Sequence, residues 1–128
     1  MNRILEKRLL SADVYLMVIE APAIARERKA GQFVIVQTDV EWGERIPLTI
    51  ADADPTRGSI TLIFQAVGAS THRLAELGPG DAVEAILGPL GNPTHIENFG
   101  HAVCVGGGIG VAPLHPIAQA LKQAGNRL

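Results

Sequence analysis

From Arg3 to Leu87 the sequence is cut into short β-branched segments, each ended by residues that favour turns. Six strand candidates follow, at 3–10, 14–20, 32–37, 45–51, 59–67 and 82–87. Ser11-Ala12-Asp13, Ala30-Gly31, Asp54-Pro55, Arg57-Gly58 and Gly78-Pro79-Gly80-Asp81 punctuate them, and such clusters bound strands rather than interrupt helices. Pro47, inside the fourth candidate, predicts an edge or a bulge there. Residues 70–77 (STHRLAEL) read as one short helix with a polar start and a glycine stop. Short strands at this spacing predict a closed, mainly β barrel.

Composition narrows the function classes. Among 128 residues, 47% are hydrophobic and 19% charged, the balance of a folded domain. The formal charge of −2 comes without a basic run, so nucleic acid has no footprint to grip. Aromatics are few (Tyr15, Phe33, Trp42, Phe64 and Phe99), which disfavours a base-stacking platform. Cys104, the single cysteine, excludes an intrachain disulfide and any multi-cysteine metal site within the chain, and reads as a small buried hydrophobe. His72, His95, His101 and His115 lack metal-ligand spacing and read as surface or loop residues. The charged opening MNRILEKRLL and the lack of a long apolar run point to a cytoplasmic protein without a membrane span.

The last third changes character. Residues 88–100 (GPLGNPTHIENFG) have loop composition and divide a barrel domain at 1–98 from a second unit at 99–128. In that unit 101–105 reads as a buried strand, and 110 or 111 to 124 as a helix. Between them stands Gly106-Gly107-Gly108-Ile109-Gly110-Val111-Ala112-Pro113. It fails the G-x-G-x-x-G/A pattern in every register and has no acidic residue downstream to clamp a ribose. Consecutive glycines before a helix still suit an anion, because backbone N–H groups approach closely and the helix offers its positive end. A tight turn that needs only small residues is the other reading. The unit is a first β–α step, shorter than a full βαβ nucleotide-binding module.

The ordered set AGQFVIV, RIPLTI, IFQAVGAST, GPLG and VGGGIGVAP resembles the ferredoxin–NADP reductase superfamily of flavoproteins. Within it the chain is most similar to the small FAD subunits of NADH-dependent ferredoxin–NADP oxidoreductase, also called sulfide dehydrogenase. The electron-transfer subunits of dihydroorotate dehydrogenase are similar too. The resemblance implies a six-stranded antiparallel Greek-key barrel that binds FAD, followed by an α/β domain that binds NAD(P). It also implies that the chain is a fragment of a protein whose remainder completes the nucleotide domain and carries a 2Fe–2S centre.

Carried over residue by residue, the resemblance places Arg45, Ile46, Pro47, Leu48 and Thr49 along the flavin. Thr49 would offer a hydroxyl near N5, where it tunes the ring without acting as an acid or base. Leu48 stands where many relatives stack a tyrosine. Arg45 lies four residues before Thr49, one more than the phosphate-binding arginine of relatives, so pyrophosphate contact and a solvated side chain both stay open. Gly68, Ser70 and Thr71 would receive the pyrophosphate at a helix start, or form a plain N-cap. Ile63, Phe64 and Gln65 would contact the ribityl chain through their backbone. Gly106, Gly107, Gly108, Ile109 and Gly110 would form part of an incomplete NAD(P) site. Implied partners are a larger redox subunit with flavin and iron–sulfur centres and a ferredoxin-type acceptor, with self-association of the fragment through 103–105 and 114–121. NAD(P)H turnover by the fragment alone is expected to be weak or absent. A flavin-free docking barrel is the alternative from another class.

Overall fold

The computed structural model describes residues 2–39 and 44–128; Trp42 lies outside them. Seven strands form one sheet: β1 (Asn2–Ser11), β2 (Val14–Glu20), β3 (Phe33–Gln37), β4 (Arg45–Asp54), β5 (Ser59–Gln65), β6 (Ala82–Val83) and β7 (Ala85–Leu90). All pairings are antiparallel, in the order β6-β1-β2-β5-β4-β3-β7. The β5-next-to-β2 adjacency, reached by passing over β3 and β4, is the Greek-key step.

The expected sixth strand is two. Glu84 breaks it, and its N–H donates to the carbonyls of Gln37 and Thr38 at 2.9 and 3.2 Å. β6 then pairs with β1, and β7 with β3. The two ends of the sheet order are therefore joined through one residue, and the barrel closes on itself. Closure at Glu84 covers the outer edges of the sheet there and leaves unpaired edges where β4 and β5 diverge.

Period-two burial fills the interior. Val34 and Val36 of β3 and Ile60, Leu62 and Phe64 of β5 are buried, together with Ile4, Met17, Ile19 and Ile50. Phe64 stacks on Tyr15 with ring centroids 5.8 Å apart.

The barrel carries two short helices rather than one: α1 (Pro22–Glu27) and α2 (Ala69–Ala75). α1 starts with Pro22 in its first turn, where a missing N–H costs little. Ile24 and Ala25 of α1 and Leu74 and Ala75 of α2 join the core. The other connection, 91–96, is held rather than loose. The Thr94 N–H donates to the Ala30 carbonyl at 2.9 Å, and the Gln32 side-chain amide donates to Gly91 at 3.0 Å. Residues 88–90 belong to β7, so the expected loop starts later than its composition predicts.

Beyond it, 101–105 departs from expectation. It forms no strand, only one parallel bridge between His101 and Arg127. Val103 and Val105 are 80% and 87% exposed, and Cys104 is half-buried rather than buried. Apolar composition alone cannot bury a segment whose one neighbour is the short stretch at Arg127, bonded only at its start. A 3₁₀ turn (Gly108–Gly110) leads into α3 (Val111–Gln123), which packs on β4. Buried Asn126 ties the end of α3 to the connection before it. Its amide donates to Glu97 and Leu121 at 2.8 and 2.9 Å and accepts from the Phe99 N–H at 2.6 Å. No helix among the described residues is long and apolar enough to cross a membrane.

Candidate functional site

β4 serves two neighbours in turn. Residues 45–49 pair with β3, Pro47 opposite Ile35 and Thr49 opposite Phe33. Pairing with β5 begins only at Ile50, opposite Leu62. β5 continues from Ile63 to Gln65 against β2 alone. The two strands therefore diverge, and each turns one backbone edge without a ladder partner toward the gap. Pro47 lies on that edge; its strand is interior in the sheet order but an edge over this half, which reconciles the proline with its position.

An open cleft of about 290 Å³ occupies the gap. Pro47, Leu48 and Thr49 line one side, and Ile63, Phe64 and Gln65 the other, with Thr71 at one end. The remaining wall comes from the far end of the chain: Ile109, Gly110, Ala112 and Pro113. Two β-edges supply N–H and C=O groups, and the side chains supply mostly apolar surface. That mixture suits a flat, largely apolar ligand with a polar rim.

The expected residues do not all enter by their side chains. Ile46 and Phe64 are 7% and 2% exposed and belong to the barrel core; Phe64 borders the cleft by its backbone, and Ile46 does not line it. Leu48 is half-buried against that core and still borders the cleft. Arg45 is exposed, beside Gln37 in register, and does not line the cleft.

At α2 the Thr71 hydroxyl is already committed. It accepts from the N–H groups of Val67 and Gly68, each at 3.0 Å, and donates to the Gly68 carbonyl at 3.1 Å. Thr71 is the third helical residue reaching back over the Gly68 cap, the second half of a capping box. Ser70 lines a different hollow, with Thr38, Glu44 and Arg73.

The glycine-rich turn also divides. A Cβ on Gly106 would stand 2.4 Å from Leu114, and Gly108 holds a φ of +55°. Packing and turn geometry account for these two. Gly107 has open space around it, and only Ile109 and Gly110 reach the cleft. Sequence reasoning missed Ala112 and Pro113 as wall residues; their signal was position, one turn after the glycines.

The structure superposes on the NADH-dependent reduced ferredoxin–NADP oxidoreductase with a TM-score of 0.96 and 45% identity, over 99% of this chain and 46% of that one. It is also 44% identical over 128 residues to the dihydroorotate dehydrogenase B (NAD(+)) electron transfer subunit homolog of Thermotoga maritima, covering 100% of this chain and 45% of that protein. The chain belongs to the ferredoxin–NADP reductase superfamily.

A further superfamily relative is the dihydroorotate dehydrogenase B (NAD(+)) electron transfer subunit of Bacillus caldolyticus. It is 36% identical over 124 residues, with 93% of this chain and 48% of that protein covered. The chain thus spans about half the length of the curated relatives it matches. Phthalate dioxygenase reductase, at 20% identity and a TM-score of 0.64, shares the superfamily fold. No family model matches the chain. The superfamily relatives are redox proteins: the Thermotoga and Bacillus proteins are electron-transfer subunits by name, and the solved enzyme is an oxidoreductase.

Proposed function

We propose that the β4–β5 cleft holds the isoalloxazine of FAD in an electron-transfer subunit that links NAD(P)H to an iron–sulfur acceptor. The observation that carries this reading is convergence: residues 47–49, 63–65 and 71 meet 109–113 around one cleft. The cleft fits the group, since two unpaired strand edges can satisfy a polar ring edge while Leu48, Ile63 and Ile109 cover apolar area. When bound, the flavin supplies the chemistry, accepting a hydride and releasing electrons singly.

The chain's own residues position and shield it. Backbone groups along 47–49 and 63–65 would hold the polar edge of the ring, and Leu48 would cover apolar area beside it. Thr49, which lines the cleft, would offer its hydroxyl to the N5 edge of the ring. Thr71 shapes the corner after β5 so that the first N–H groups of α2 stay open to the pyrophosphate. Arg45 is exposed and can swing toward the same phosphates. Residues 106–110 would contribute to nicotinamide nucleotide binding with chain from the rest of a longer, cytoplasmic protein. The partner is a larger redox subunit; a 2Fe–2S centre and a ferredoxin-type acceptor complete the route.

The test is the visible spectrum of the purified chain after FAD is added and the excess removed. A retained, shifted flavin spectrum supports the cleft, provided it weakens in a Ser70→Ala/Thr71→Ala double variant. A colourless protein that circular dichroism shows to be folded overturns it.

The Thermotoga relative favours a second assignment of the redox partner, a dihydroorotate-oxidising subunit that donates electrons to the flavin, at nearly the same identity. Reduction of the FAD-loaded protein by a dihydroorotate-oxidising subunit would select that route.

A further inference from the structure

Away from the flavin cleft, a groove of about 790 Å³ runs between the end of α1, the 93–96 connection and α3. It is larger than the cleft and lies within the size range of small-molecule sites. Its floor is shallow in side chain and deep in space, because Ala30, Ala53 and Ala120 fill little of it.

Charge around the groove is uneven. Arg26, Arg28 and Lys29 line it against one carboxylate, Asp52. Arg28 is turned to Asp52 at 3.7 Å. Among the described residues neither Arg26 nor Lys29 has an ion pair. Two cations thus stand over a concave surface in a chain whose formal charge is −2. On the facing wall Gln119 and Gln123 lie four residues apart on α3, so both amides share one helix face. The same helix walls both hollows, with Ala112 and Pro113 at the cleft and Gln119 at the groove.

We propose that this groove is a binding site for a phosphate-bearing small molecule. Arg26 and Lys29 hold the anionic group, and the Gln119 and Gln123 amides hydrogen-bond the remainder. Charge-assisted bonds to phosphate oxygens are the strong contacts available here, and an amide pair can both donate and accept. The assignment is independent of flavin binding.

Amide chemical shifts of the chain, titrated with inorganic pyrophosphate at constant ionic strength, test it. Saturable shifts are expected at 25–30, 94–96 and 119–123. An Arg26→Gln/Lys29→Gln variant should weaken that binding at least about tenfold, the scale of losing charge-assisted contacts. Gln119→Ala should weaken it less, and Arg57→Gln, on a basic residue outside the groove, should leave it unchanged. Shifts that never saturate, that spread evenly over surface cations, or that persist in the double variant overturn the proposal. So do shifts confined to the start of α2.

Discussion

Thr71 accepts the Gly68 N–H at 3.0 Å and returns a hydrogen bond to the Gly68 carbonyl at 3.1 Å. This closed pair fixes the corner where β5 gives way to α2, the end of the cleft at which pyrophosphate is expected. Thr71→Val keeps the shape and removes all three hydroxyl bonds. We expect a loss of about 1–2 kcal/mol in stability, since the corner is partly solvated, with FAD affinity falling about tenfold or more. Thr71→Ser should restore both. Urea midpoints and FAD titration by fluorescence separate the two effects; unchanged affinity in Thr71→Val would detach the corner from the cofactor.

Thr49 stands opposite Phe33, on the half of β4 that lacks a β5 partner. Its hydroxyl is not needed for the ladder, so Thr49→Val should leave stability within about 0.5 kcal/mol. A hydrogen bond favouring the reduced ring would be lost. We expect the two-electron potential of bound flavin to fall by about 30 mV, the equivalent of a tenfold change in equilibrium. Potentiometry against a reference dye reads this directly, and an unmoved potential removes Thr49 from the tuning role.

Gly31 and Gly80 share nearly the same φ, +93° and +95°. A Cβ at Gly31 would lie 2.2 Å from the Thr94 hydroxyl oxygen and 2.8 Å from its backbone nitrogen, whereas Gly80 has nothing within 4 Å. Gly80→Ala should therefore cost only the conformational term, about 1 kcal/mol. Gly31→Ala should cost about 2–3 kcal/mol, because it also displaces the connection held to Ala30. Equal costs in chemical denaturation would show that the 91–96 connection yields freely.

Much of this fold is legible in the sequence because strands with one face in a core announce themselves by alternation, as Val34/Val36 and Ile60/Leu62/Phe64 do. Pairing partners are not written that way. Nothing in 45–54 tells that its first half pairs with β3 and its second with β5, yet that change of neighbour makes the cleft. Ile109 and Pro113 meet Leu48 across sixty-odd residues, a distance that local pattern cannot span. α1 escaped notice because it is six residues long with no side-chain cap, although Pro22 at its start was a usable sign. The segment 101–105 misled in the opposite direction, since its composition promises burial that only a neighbouring strand could provide.

That segment carries the last prediction. Val103 and Val105 are 80% and 87% exposed, with Phe99, Ile109, Val111 and Leu128 also exposed near the same end of the chain. α3 contributes less than its composition suggests, because Leu121 and Pro116 are buried and Leu114 is half-buried. Val103, Val105, Ile109 and Val111 thus form a run of exposed apolar side chains within 103–111, and its first residues carry strand-forming backbone groups that pair with no strand. Such an edge invites pairing with a second copy. Light scattering should show a concentration-dependent dimer or larger species. Val103→Ser/Val105→Ser should shift it toward monomer while leaving the barrel's unfolding transition in place, because neither side chain touches the core. Association that survives the double variant would place the contact elsewhere.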